Sequence, residues 1–482
     1  MSLKSNQPPL FVFGISGATW DIIDPLIASG YLPNFKKLQD QGCRTTLLSV
    51  KEDWDKHYRP QVAWASAATG FIPEKHGVTK FYHTADDLKV PTLWEIYQQH
   101  GLGVGVYGWP LDWPVRPTNG FIVPSHLARD SQTWPPELSI IKALDREQQD
   151  AERDKHYRVT IGSKIKKLKA LSQLGLSPRT FANLAKIFLK ILVSSSSEER
   201  SLLLRHAKIE LSSEIFLSLC KKYNPHFCSF HTFLVDLASH RYWRYYQPDL
   251  FPKFHEQPSA TLKEAVVKAY IHTDAILGRL IANLPSDTTV AVLSEHGMAA
   301  EPQSAEVGDW RYVINGNKLS EFVGLKDKII ACPVARWVAF KPNTGDTLPA
   351  DTAERFQQII VQDTGLPLFQ VYQHGVDEVI VKFNIEQDHP VYRQGKLDSL
   401  TLTYRDQIIP FLELVRRLGK ARSAMHTEQG ILLIAGKGIR SGVRLPPASI
   451  LDITPTLLQA SGLPWDQTID GRPLNIMIDS PN

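Results

Sequence analysis

The sequence predicts an α/β fold built on a large, mostly parallel central sheet with helices over both faces. Three observations carry that expectation. Leu10–Ile15 is almost wholly apolar, and Thr289–Leu293 and His226–Val235 are similar β-rich runs; strands buried on both faces read this way. Segments with helical spacing alternate with these runs, as they do where helices connect parallel strands. At 482 residues and 43% hydrophobic content, the chain can bury one large core plus an insert, or form two domains.

The elements follow in order. Leu10–Ile15 breaks at Gly14-Ile15-Ser16-Gly17, and a helix opens at about Trp20 with Thr19 as its N-cap and Ile22, Ile23, Leu26 and Ile27 on one face. Leu32-Pro33-Asn34 starts a short helix, Phe35–Gln39, that Gly42 stops; Cys43–Val50 is the next strand. A polar loop, Lys51–Pro60, carries Glu52, Asp53, Asp55, His57 and Arg59. Helices at Val62–Thr69 and Leu93–Gln99 precede a strand at Val104–Tyr107. From about His126 to Glu210 no strand pattern appears. Ile165, Leu168 and Leu171, then Phe181, Leu184, Phe188, Ile191 and Leu192, mark two amphipathic helices with basic outer faces. The core then resumes with a long helix at about Ala260–Leu284, a strand at Ala335–Phe340, a helix at about Thr352–Val361, and strands near Glu378–Phe383 and Ile431–Ala435. The expected division is an α/β catalytic domain from 8–125 and 211–478, with a basic helical insert or cap at 126–210.

Fifty-four basic against 50 acidic residues give a formal charge of +4, too small to indicate specific nucleic-acid binding. The charge is uneven: Arg153–Lys190 holds ten Lys or Arg and one acid, so it is +9 and the remainder is −5. Such a segment is a solvated face, or it attracts an anionic substrate or a membrane surface. Four scattered cysteines with no CxxC pair read as reduced thiols. The first apolar run is too short for a signal peptide, and nothing later approaches a spanning helix, so the expected location is cytoplasmic.

The chemistry gathers at predicted strand ends. Asp236 and His240 are four apart and share a face if that turn is helical. Glu295 and His296 are adjacent, so they converge only from a non-helical turn. His426 lies just before Ile431–Ala435. Three histidines and two carboxylates at strand ends suit zinc above manganese or iron.

In order along the chain, Gly14–Asp21 (GISGATWD), Leu32-Pro33-Asn34, Trp64–Gly70 with Pro73–Gly77, Asp236 with His240, Ser294–Gly297, His426, Asp452–Leu457 and Asp470–Leu474 form a series. The series resembles the signatures of the alkaline phosphatase superfamily, closest to its type I phosphodiesterase/nucleotide pyrophosphatase branch. The resemblance implies an alkaline phosphatase-like sandwich and one or two divalent ions. It implies that Asp236, His240 and His426 hold one ion. The other ion falls to a first-strand position, here Ser16 where the family has Asp, and to a pair, here Glu295-His296 where the family has Asp-His. The family's nucleophile position is Pro60, and no Ser, Thr or Cys lies between Lys51 and Val62.

Proline cannot be phosphorylated, so the expected chemistry is metal-dependent hydrolysis of a phosphate diester or pyrophosphate-like bond by metal-activated water, without a covalent phospho-enzyme. His57 and Asp55 are then the acid/base candidates and Arg59 an anion clamp. The alternatives are a metal-dependent mutase, isomerase or lyase on an anionic metabolite, and an inactive relative that binds an anionic ligand or a membrane surface. The expected partners are a small anionic substrate and weak membrane contact through 153–190.

Overall fold

The computed structural model describes residues 8–50, 60–80, 82–143, 178–194, 196–252, 257–302, 310–334, 337–383, 397–420 and 422–478. It divides into two compact units, one of Met1–Tyr246, Gln257–Ala299 and Met425–Asn482, the other of Gln247–Glu256 and Ala300–Ala424.

The first unit is built on a nine-stranded sheet. Its spatial order is Val443–Arg444, Gly42–Leu48, Gln429–Ala435, Thr289–Ser294, Leu10–Ile15, Phe227–Thr232, Val104–Tyr107, Phe121–Val123, with Ala448–Ser449 also on Gly42–Leu48. Every pairing is parallel except the two made by Gln429–Ala435, which runs against both neighbours. The three central strands are buried at every residue, as a strand covered on both faces requires.

Alternation along Leu10–Ile15 splits the core. Leu10 and Val12 join Trp64, Leu93, Trp109 and Leu457. Phe11 and Phe13 turn to the other face, where Phe11 meets Phe216 at 5.8 Å and Phe13 stacks on Phe230 at 5.8 Å. The helix after the first strand is Trp20–Ala28, and the Thr19 hydroxyl accepts from the Asp21 N–H as its cap.

Register places the site. Gly14 lies opposite His231 on one side and Leu293 on the other, so the three central strands end together. Ser16, the helix carrying Asp236, and Glu295 therefore leave from one edge of the sheet. That is where open α/β sheets bind ligands. Because Gln429–Ala435 is antiparallel, its entrance lies at the exit of the others, with Ile431 opposite Ser294. Gly430 fits that crossing because a Cβ there would lie 2.0 Å from the Ser294 carbonyl oxygen.

The second unit has its own core around Phe340, Phe356, Leu319 and Val381. It is antiparallel: Phe369–His374, Glu378–Phe383, Trp337–Pro342 and Ile329–Val334 form one sheet, and Ile360–Val361, Thr401–Tyr404 and Gln407–Pro410 another. The sequence reading does not separate this unit.

Three expectations need correction. The helix at Thr352–Val361 ends at Gln357, and Ile360–Val361 is a strand paired with Thr401–Tyr404; two β-branched residues, Ile360 and Val361, prefer the pleated surface. The long helix before Thr289 is two, Ala260–Lys263 and Ala265–Ala282. Of the two helices expected in the basic insert, the first falls within residues 144–177, outside those described. The second is Pro178–Val193, and its exposed side is not only basic: Phe188, Leu189, Leu192 and Val193 are exposed beside Arg179, Lys186 and Lys190. Among the described residues no helix is long and apolar enough to cross a membrane.

Candidate metal centre

Asp236 and His240 lie on the helix Leu234–Tyr246, one turn apart and on the same face. Gly17, in the left-handed region at φ +76°, makes room for that helix: a Cβ on it would meet the Asp236 Cα at 3.0 Å. His426 comes from Ala424–Thr427, a short strand paired with Gly297–Ala300. Its Nε2 lies 2.9 Å from His240 Nε2 and 3.1 Å from Asp236 Oδ1. His240 Nε2 is 3.4 Å from the same oxygen.

These three atoms fit a cation. Two Nε2–H groups pointing at each other across 2.9 Å would collide, so at least one ring nitrogen turns a lone pair toward the shared point. A tetrahedral ion with bonds of about 2.0–2.1 Å separates its ligand atoms by roughly 3.3 Å. The observed separations, 2.9, 3.1 and 3.4 Å, are of that size. Among the described residues this is the one group of three His, Cys, Asp or Glu side chains that converges so.

Protonation agrees. Burial first, then the His296 ring, push the His426 imidazole down to about 3, so it is neutral at pH 7; neutral imidazole is the ligating form. Burial works against the Asp236 carboxylate, but the His240 and His426 rings outweigh it and hold the group well below the usual carboxylate range.

Ser16, Glu295 and His296 form a second group. Ser16 follows the first strand, and Glu295 and His296 occupy the bend between Thr289–Ser294 and Gly297–Ala300. The Ser16 hydroxyl donates to Glu295 Oε1 at 2.8 Å. His296 Nε2 lies 3.1 Å from that same oxygen, at ion-pair distance. Glu295 and His296 are fully buried. Burial opposes charge on His296, but the Glu295 carboxylate leads the interactions that raise its pKa. The two groups meet where the His296 ring stacks on His426, centroids 3.7 Å apart and planes at 20°.

His231, which the sequence reading omits, supports this second group. Its Nε2 is 3.2 Å from the Ser16 hydroxyl. The single Ser16 proton goes to Glu295, so His231 Nε2 carries the hydrogen and donates. Burial lowers the His231 pKa to about 3, and the ring lies edge-on to Trp64 at 4.6 Å. One signal for it existed: Gly14 sits inside a buried strand, and a Cβ there would lie 2.5 Å from His231 Cδ2. A glycine in a strand marks such a close approach.

Pro60 is the first residue of the helix Pro60–Thr69, a position that suits proline because no helical N–H is lost. One turn on, the Trp64 ring lies edge-on to His231. His57, Asp55 and Arg59 lie outside the described residues.

A search of the curated proteins returned no match. Residues 10–373 match the family model described as "Type I phosphodiesterase / nucleotide pyrophosphatase". The matched span takes in Ser16, Asp236, His240, Glu295 and His296 and stops before His426. A match over most of the chain, with a mostly parallel sheet whose strand ends gather these side chains, makes this protein a member of the type I phosphodiesterase/nucleotide pyrophosphatase family, within the alkaline phosphatase superfamily.

Proposed function

We propose that the protein hydrolyses a phosphate diester or pyrophosphate-like bond with one divalent cation held by Asp236, His240 and His426, zinc being the ion that this donor set suits best. The family supports hydrolysis of such bonds. The observation that carries the metal-dependent reading is the meeting of two Nε2 atoms and one carboxylate oxygen within hydrogen-bond range of one another. When bound, a divalent ion supplies Lewis acidity toward phosphoryl oxygen and lowers the pKa of water to about 7.

The chain's own residues do the rest. Asp236 contributes the negative charge, and the two imidazoles contribute neutral donors. The Glu295–His296 pair fixes the His426 ring from behind by stacking. Ser16, held by His231, orients Glu295. Pro60 supplies no hydroxyl, which supports a route without a phosphorylated side chain. Asp55 and His57 remain the proposed acid/base groups and Arg59 the proposed anion clamp. The cationic stretch Arg153–Lys190 would draw in a small anionic substrate. Four free cysteines, three of them buried, support a reducing compartment and hence the cytoplasm.

Metal analysis of protein purified without added metal, with turnover of aryl phosphate mono- and diesters, tests this. The expected result is bound zinc and diester hydrolysis, both lost in His240→Ala. Protein that neither holds nor responds to zinc, manganese or iron would overturn the metal reading. Full occupancy without hydrolysis would move the activity to the mutase or lyase class.

A further inference from the structure

We propose that the helix Pro178–Val193 docks the protein on an anionic lipid surface. The helix has two unlike sides. One is fastened to the body: the Thr180 hydroxyl donates to Glu214 and the Asn183 amide to Glu210, each at 2.7 Å. The other faces water and is apolar. Phe181, Phe188 and Leu192 recur at seven and four residues, so they form one stripe. Phe188 is 54% exposed, Leu189 63% and Leu192 80%. A soluble surface rarely lines up large apolar side chains in this way.

Charge selects the occupant. Arg179, Lys186 and Lys190 follow the same seven-and-four spacing and share one edge of the helix, and Pro178–Val193 contains no Asp or Glu. The wider window Arg153–Lys190 is +9 while the rest of the chain is −5. An aromatic and leucine stripe beside a purely cationic edge is the composition of a helix lying in a headgroup layer. There the stripe enters the acyl boundary and the lysine stems reach back to phosphate and carboxylate. A second copy of this chain would bring the same cationic edge against itself, which disfavours a self-paired face.

Vesicle flotation of the full chain tests the assignment, with phosphatidylcholine alone and with phosphatidylcholine containing phosphatidylserine. Binding to the second and not the first is expected, weakening as salt rises. Lys186→Gln and Lys190→Gln should each lower partitioning about fivefold. Phe188→Glu and Leu192→Glu should abolish it with the melting temperature unchanged, since both positions face water; Leu192→Ser serves as a milder check. No flotation with anionic vesicles would overturn the proposal. So would flotation that Leu192→Glu leaves intact, or a wild-type dimer that Leu192→Glu splits into monomers.

Discussion

Two groups of three side chains lie side by side at the end of the central strands, and they are satisfied differently. Ser16, Glu295 and His296 gather on one carboxylate oxygen: the Ser16 hydroxyl donates to Glu295 Oε1, and His296 Nε2 lies at ion-pair distance from that oxygen without a hydrogen bond. Asp236, His240 and His426 do not close, because two ring nitrogens and a carboxylate oxygen share a point that protons alone fill poorly. The contrast teaches what one lost charge does. A carboxylate at position 16 would crowd Glu295 and call for a cation; a serine there donates a proton to Glu295 instead. The group of Asp236, His240 and His426 fits an ion, whereas the group of Ser16, Glu295 and His296 holds a hydroxyl hydrogen bond and an ion-pair contact.

The largest effect should come from breaking the open group. His240→Ala or Asp236→Asn should strip the ion and lower kcat/KM by about a thousandfold or more, since Lewis-acid stabilisation amounts to several kcal/mol. Metal analysis beside a diester assay checks this, and a variant keeping both ion and turnover would erase the distinction.

Next comes Ser16→Asp, which puts a second buried carboxylate against Glu295. Without metal it should cost about 3–5 kcal/mol, as an uncompensated buried charge does. Added zinc should restore more stability to this variant than to the wild type, by denaturant melts with and without chelator. Equal responses would show that the closed group has no latent ion site.

A third test separates acid sensitivity from the metal. Burial first, then the neighbouring His272, push His206 down to about 3. Glu210 sits well below the carboxylate range: burial opposes this, but His272, Arg279 and Asn183 outweigh it. Both folded values are depressed, so the unfolded chain takes up protons first. Stability should fall as pH drops below about 6.5, through His206, His231 and His426 together, and fall further below about 4.3, through Glu210. The limb below about 4.3 should persist in His240→Ala; a limb that flattens in that variant would assign that acid loss to the open group instead.

The smallest effect should be that of Pro60→Thr. A hydroxyl at position 60 has no second cation to activate it while Ser16 stands where a carboxylate is needed, so phosphatase turnover should rise less than about tenfold, or 1.4 kcal/mol. A hundredfold gain in a monoester assay would show that the closed group still binds an ion.

Much of the scaffold was legible. Leu10–Ile15, Val104–Tyr107 and Leu93–Gln99 fall where the pattern puts them, because each is an apolar run or helical face bounded by a turn residue or cap. Asp236 and His240 were legible together because four residues is one helical turn. His231 was not: a histidine in a buried strand looks like core, and the clue lay on another strand, at Gly14. The apolar stripe beside the basic edge of Pro178–Val193 was not legible, because periodicity shows that a helix has faces, not which one meets the body.

By itself, then, the chain's pattern set its strands, its first helices, the cap at Thr19 and the pairing of Asp236 with His240, since these depend on neighbours a few residues apart. Its family motifs named Ser16, Glu295, His296 and His426 and implied how they divide between two groups. Tertiary structure decided how each group closes and where the two meet. The alternation of a strand looks the same read in either direction, so nothing local dictates that Gln429–Ala435 runs against its neighbours. That reversal brings His426 to the edge where the parallel strands end, beside Asp236 and not one sheet-length away.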